Sequence, residues 1–151
     1  MLFRRVNKGR FLMFGNGQAH YHPVYIDNLV DAFELAAASE NGNGEVYLIA
    51  DEKYYSLNEL VSEIGKVLNV DLKIQHLPFW PLWTLALACE IVYKPFRKDP
   101  PIFRRRVDWF RQNRAFSIEK AAKELGYHPK VSLKEGLAET AKWYREKGYL
   151  S

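Results

Sequence analysis

The stretch that decides the fold is Phe14-Gly15-Asn16-Gly17 followed by His22-Pro23-Val24-Tyr25-Ile26-Asp27-Asn28-Leu29-Val30-Asp31-Ala32. Ahead of the glycines, Phe11-Leu12-Met13-Phe14 is a short apolar run, and a glycine-rich close predicts a strand entering a turn. Beyond them, Asp27 is read as the cap of a helix from 28 to about 39, with Leu29, Phe33, Ala36 and Ala37 as its apolar stripe. Asn41-Gly42-Asn43-Gly44 tolerates positive φ and ends that helix. A strand passing through a tight turn towards a helix points to an α/β chain.

Further on, alternation gives way to helices. Residues 45–50 (EVYLIA) are β-branched and aromatic enough for a buried strand. Ser56 with Glu59 three residues later forms a capping box for a helix carrying Leu57, Leu60, Val61, Ile64, Val67 and Leu68. Residues 72–77 (LKIQHL) alternate like a half-exposed strand. A hydrophobic helix is expected over about 81–93, and Asp99-Pro100-Pro101 is read as opening a basic one over 102–112. Ser117 caps a helix bearing Ile118, Ala121, Ala122 and Leu125 that Gly126 stops. Ser132 and Glu135 box the last helix, 133–147, with Leu137, Ala141 and Tyr144 inward and Gly148 at its end.

The chain has 151 residues, 48% hydrophobic, 15% aromatic and 26% charged at net +4, which supplies a core and excludes a disordered tail. A single cysteine, Cys89, excludes an internal disulfide framework and suits a reducing, cytoplasmic compartment. Met1-Leu2-Phe3 runs straight into Arg4, Arg5, Lys8 and Arg10, so no signal peptide is expected. The most apolar stretch, 77–96, holds Pro78, Pro81 and Glu90 and is read as a helix with a broad apolar face rather than a membrane span. Charge is uneven. Lys94, Arg97, Lys98, Arg104, Arg105, Arg106, Arg111 and Arg114 face only Asp99 and Asp108, a local +6 that leaves −2 for the remainder.

Catalytic signatures are missing. Gly15-Asn16-Gly17 continues into Gln18-Ala19-His20 without the third glycine of a dinucleotide fingerprint, and Gly42-Asn43-Gly44 precedes an expected strand. There is no Walker loop and no GxSxG elbow. His20, His22, His76 and His128 make no metal-ligand pattern, so no metal is expected.

Taken together, the opening stretch resembles the extended short-chain dehydrogenase/reductases, and within them the NAD-dependent epimerase/dehydratase group, whose V-D-D/N-V-A segment starts a helix after a GxG-like turn. Residues 45–50 resemble that group's g-x-x-Y-n-i strand, and Arg114-Ala115-Phe116-Ser117-Ile118-Glu119-Lys120-Ala121 its R-x-x-D-x-x-K-A. Leu125-Gly126-Tyr127-His128-Pro129 resembles L-G-W/Y-x-P, while Glu135-Gly136-Leu137 and Trp143-Tyr144 resemble its closing helix. The resemblance spans essentially the whole chain and implies the C-terminal part of a Rossmann-type α/β enzyme, with few strands and a mostly helical second half. Group members hold NAD or NADP in a glycine-rich N-terminal half and react through Tyr-x-x-x-Lys. No tyrosine here has lysine four residues on. The expectation is a single substrate-binding region, 1–151, with the Rossmann half absent. NAD or NADP then belongs to the full-length parent, and neither cofactor nor redox turnover is expected of this chain alone.

Carried over residue by residue, the resemblance places Leu12 and Phe14 beside the nucleotide base, with plain strand burial as the alternative. Tyr21 stands where the group often has a pyrophosphate-binding arginine, which moves weight from nucleotide sugars towards the hydrophobic hydroxy compounds of sterol- and flavonoid-type members. Arg114 matches the other phosphate-facing arginine, a role suited to a planar bidentate fork. Arg104, Arg105 and Arg106 diverge by about 100° each along a helix, so at most one, Arg104, is assigned to a ligand. His22 is assigned to orienting substrate, against simple local hydrogen bonding. No residue is assigned a catalytic role. Phe79, Trp80, Trp83 and Tyr93 are read as walling a hydrophobic pocket, as core, or as an interface with the missing half.

Expected partners are a small-molecule substrate (a nucleotide sugar or a hydrophobic hydroxy compound), the missing Rossmann half, and a second copy of the chain. The alternative reading is a stand-alone basic module whose 94–114 face meets nucleic acid or an anionic membrane surface. Nucleic acid is disfavoured because no recognised motif for it appears.

Overall fold

A computed structural model describes residues 2–96 and 99–150; Arg97 and Lys98 of the basic run lie outside the described residues. In chain order the elements are α1 (Leu2–Val6), β1 (Arg10–Phe14), β2 (His20–Tyr21), α2 (Ile26–Ala38), β3 (Tyr55–Ser56) and α3 (Leu57–Leu68). They continue with β4 (Lys73–Leu77), α4 (Phe79–Tyr93), α5 (Arg104–Asp108), α6 (Glu119–Leu125) and α7 (Leu133–Glu146). β1 and β4 pair in parallel from Arg10↔Lys73 to Phe14↔Leu77, and β2 and β3 pair antiparallel.

Both predicted capping boxes form. Ser56 Oγ accepts the Glu59 N–H and Glu59 accepts the Ser56 N–H; Ser132 and Glu135 repeat the exchange. α3 then buries Leu57, Val61, Ile64 and Leu68 against Phe11 and Met13 of β1, Phe3 and Val6 of α1, and Ala141 of α7. Leu137 and Tyr144 pack partly buried against this main core. Each buried Leu, Ile or Val side chain contributes about 1.5–3 kcal/mol, so this cluster dominates stability. A second cluster joins Ala32 of α2, Ala121 of α6 and Tyr127, flanked by Leu35, Tyr47, Ile49 and Ile118.

Five expectations change. Ile118, not Ser117, is the N-cap of α6, and Ser117 Oγ accepts the Glu119 N–H at 3.3 Å from one position further out. Tyr25, not Asp27, is the N-cap of α2, and Asp27 sits in the first turn where its charge complements the helix dipole. α2 turns Asn28, Ala32 and Leu35 inward rather than the Leu29 stripe, leaving Phe33 65% exposed. Residues 45–50 run extended but enter neither sheet. Tyr47, Ile49 and Ala50 point inward while Val46 and Leu48 face out, because β propensity without a neighbouring strand makes no ladder. The basic helix is shorter than the expected 102–112, running only over Arg104–Asp108: Phe103 is an extended N-cap and the Glu90 carboxylate accepts the Arg104 N–H at 2.6 Å. Among the described residues no helix is long and apolar enough to cross a membrane.

Candidate functional site

Strand alternation puts Phe11 and Met13 in the core and turns Leu12 and Phe14 to the opposite face. Leu12 is half exposed there, and Phe14 lines a groove of about 440 Å³ with Leu77, Pro78, Pro81, Leu82 and Leu85. Plain strand burial therefore does not describe this pair. The Phe14 ring also lies 6.0 Å from Phe110, which opens onto the segment after α5.

That segment returns to β2. Arg114 forms a parallel bridge with Tyr21, donating its N–H to His20 O at 2.7 Å, while the His20 N–H goes to Asn113 Oδ1. The Arg114 guanidinium lies 3.5 Å over the Trp109 ring and donates from Nη2 to Gln112 Oε1 at 3.1 Å. Its Nη1 is buried without a hydrogen-bond partner. A buried donor left unpaired costs about 1–3 kcal/mol, more when charged. Tyr21 donates its hydroxyl to Trp109 O at 2.8 Å. Burial raises the Tyr21 phenol, against the opposing pull of Arg114 and that hydrogen bond, so it remains a neutral donor at neutral pH.

Phe14 meets Phe110 and Arg114 meets Trp109, consecutive residues of the segment after α5, while the groove beside Phe14 is lined by Leu77, Pro78, Pro81, Leu82 and Leu85 without Arg114. The other candidates are engaged elsewhere. His22 Nδ1 accepts the Phe116 N–H at 3.3 Å, so Nε2 carries the proton and donates to Asp51 O at 2.7 Å. Both ring nitrogens are used in tying three segments together. Arg104 donates from Nε to Glu90 Oε2 at 2.8 Å and lies over Trp83, fastening α5 to α4.

Sequence reasoning missed the residues that hold the motifs together. Asn28 is fully buried and binds Asp51, Lys130 and Val131. Tyr127 donates to Ala50 O at 3.0 Å, and burial pushes its phenol up to about 12. Lys120 reaches Glu45 Oε2 at 2.6 Å and Val46 O at 3.2 Å. The recognisable motifs therefore converge on structural contacts rather than on chemistry. The available signal was Asn28 lying at helical spacing with Ala32 and Leu35, a polar residue in an inward line.

A dinucleotide does not fit these residues. The Gly15-Asn16-Gly17 turn spends its groups internally: the Gly15 N–H on Leu77 O, the Gly15 carbonyl on His76 Nδ1, and the Asn16 and Gly17 carbonyls on Asn58. The space beside Gly17, where a pyrophosphate would need the backbone bare, is filled by the Asn58 side chain. No group of three or more His, Cys, Asp or Glu among the described residues could hold a metal ion.

No family model matches the chain. It is 31% identical over 145 residues to YbjS of Escherichia coli, covering 94% of this chain and 43% of that protein. It is 30% identical over 135 residues to UDP-N-acetyl-alpha-D-glucosaminuronate decarboxylase of Bacillus cytotoxicus, covering 89% and 35%. Identity is 29% over 148 residues to 3beta-hydroxysteroid-dehydrogenase/decarboxylase isoform 1 of Arabidopsis thaliana, covering 90% and 34%. Among solved structures, UDP-glucuronic acid 4-epimerase from Bacillus cereus, in complex with UDP-glucuronic acid and NAD, superposes at a TM-score of 0.63 with 22% identity, over 97% of this chain and 40% of that one. The chain spans less than half the length of each of these proteins. With motifs, architecture and relatives in agreement, the chain is homologous to extended short-chain dehydrogenase/reductases of the NAD-dependent epimerase/dehydratase group, and has the α/β fold of the C-terminal part of their Rossmann-type structures.

Proposed function

We propose that this chain is the substrate-binding region of an NAD(P)-dependent enzyme acting at a hydroxyl-bearing carbon. The dinucleotide-holding half and the Tyr-x-x-x-Lys pair lie on a part of the protein outside these residues. The observation that carries the reading is the return of the 109–114 segment to β2, where Arg114 pairs with Tyr21 and stacks on Trp109, together with the apolar groove at the end of β1. Open surfaces support a docked Rossmann half. A two-stranded parallel sheet is ordinarily covered on both faces, and α2 exposes Ile26, Val30 and Phe33. The lone Cys89 fits a cytoplasmic setting.

Of the two substrate classes, a hydrophobic hydroxy compound is favoured, the kind named in the Arabidopsis relative. Tyr21 provides no second cation, its hydroxyl is committed to Trp109, and carbon side chains line the Phe14 groove. The UDP-sugar enzymes among the relatives and solved structures favour a nucleotide sugar instead. Titrating the chain with a 3β-hydroxysteroid and with UDP-glucuronic acid, followed by tryptophan emission, separates them. Saturable steroid binding is expected. Saturable nucleotide-sugar binding lost in Arg114→Ala would establish the second class, and binding of neither would overturn both. Reduction of NAD or NADP by the chain alone would overturn the division of labour.

A further inference from the structure

Helix α4 has no polar face. Its 15 residues carry one charge, Glu90, and Arg104 neutralises it through both the backbone N–H and Nε. Only Ala86 is fully buried, whereas Trp80, Leu85, Ile91 and Val92 are each more than half exposed, as is Phe96 just beyond the helix. At 3.6 residues per turn these five fall within an arc of about 160°, and Phe79, Trp83, Ala86 and Glu90 lie on the opposite side. The polar side chain inside the arc, Thr84, donates its hydroxyl to Pro81 O at 3.0 Å. A surface helix in water ordinarily shows a charged outer face, and a continuous apolar one marks a binding surface.

The charges beside α4 are mainly positive. α5 packs against it, and Lys94, Arg105, Arg106 and Arg111 are exposed near Asp99 and Asp108. Arg111 lies over Phe79 and Arg104 over Trp83, so the basic segment follows the inward side of the helix. An apolar protein partner accounts for the arc but not the basic collar. Nucleic acid accounts for the collar but not the arc. A bilayer rich in anionic lipid accounts for both, with aromatic rings suited to its interface.

We propose that α4 is an interfacial helix that lies along the surface of an anionic bilayer. Trp80, Leu85, Ile91, Val92 and Phe96 enter the acyl boundary, and the exposed Lys94, Arg105 and Arg106 supply the positive charge that favours anionic lipid. Fifteen residues span about 22 Å, short of the roughly 30 Å hydrocarbon layer, so the helix lies along the surface and does not cross. The proposal shares only Leu85 with the Phe14 groove of the substrate reading, and the variants that test it leave that groove intact.

The test is co-sedimentation of the full chain with vesicles of phosphatidylcholine, alone and mixed with phosphatidylserine, together with quenching of tryptophan emission by brominated lipid. Binding to the mixed vesicles with quenching is expected. Arg105→Gln combined with Arg106→Gln should weaken it by roughly tenfold or more, and Trp80→Ser with Ile91→Ser should abolish it. Circular dichroism should show both variants folded, because all four side chains are outside the core. Failure to bind vesicles overturns the proposal, as does binding unchanged by Trp80→Ser with Ile91→Ser. So does a stable dimer in which Trp80 is shielded from an aqueous quencher, or salt-dependent retention on nucleic acid without lipid binding.

Discussion

Asn28 donates to the Asp51 carboxylate at 3.3 Å while binding the Val131 region 103 residues further along the chain. Its second N–H goes to Val131 O at 2.8 Å, and its oxygen accepts the N–H groups of Lys130 and Val131, each at 3.0 Å. All four hydrogen-bonding positions of the carboxamide are filled. Asn28→Ala strands several buried groups at once and should cost about 3 kcal/mol. Urea unfolding measures this, and a loss under about 1 kcal/mol would show the hub to be wet and dispensable.

Burial raises the Asp51 pKa above its usual 3.8, outweighing the hydrogen bonds from Asn28 and the Tyr25 N–H and the nearby His22. The folded state therefore holds this proton more tightly than the unfolded one. Its contribution is fully present below 3.8 and declines as pH rises through the raised value. Asp51→Asn should remove that decline. The melting temperature of the variant relative to the parent should rise between about pH 4 and pH 7, and a flat difference would contradict the assignment.

Glu59 and Glu135 have the opposite sign. Each carboxylate is held below its usual 4.5, chiefly by accepting a serine N–H at the head of α3 or α7. Their contribution is present above 4.5 and lost as pH falls through the lowered values. Ser56→Ala and Ser132→Ala should each cost about 1 kcal/mol at neutral pH. Ser56 should cost more because it is buried. Thermal unfolding of the two single variants checks both the magnitude and the order.

Gly136 is buried on α7 against Tyr25, and a Cβ there would stand 2.7 Å from Tyr25 Cδ2. Alanine gains about 1 kcal/mol in helix propensity but forces an overpacking cost of about 1–3 kcal/mol. Gly136→Ala should therefore be net destabilising. In a Tyr25→Ala background the same change should become neutral or favourable, and persistence of the loss there would place its cause elsewhere.

Much of the fold was legible because its signals are local. Ser56/Glu59 and Ser132/Glu135 act across three residues, and Gly126 and Gly148 stop their helices at φ 68° and 69°. The face of α2 was not legible: Phe33 and Ala32 both suit an apolar pattern, and the choice between them rests on Asn28 meeting Val131. The strand assigned to 45–50 failed for the same reason, since its backbone lacks a neighbouring strand. At the candidate site, resemblance pointed to Phe14 and Arg114. Position and charge pointed to His22 and Arg104 as well; the folded chain commits both His22 ring nitrogens to Asp51 and Phe116, and the Arg104 N–H and Nε to Glu90.

The amino-acid order alone determined the two capping boxes, the glycine stops, the period of α3 and the concentration of positive charge, because these depend on residues a few positions apart. Only the tertiary structure decided which apolar arcs are inside, that Tyr21 meets Arg114, and that Trp109 stacks on that guanidinium. Those outcomes depend on distant segments competing for the same buried surface and the same hydrogen-bonding groups, a competition that no short window of sequence contains.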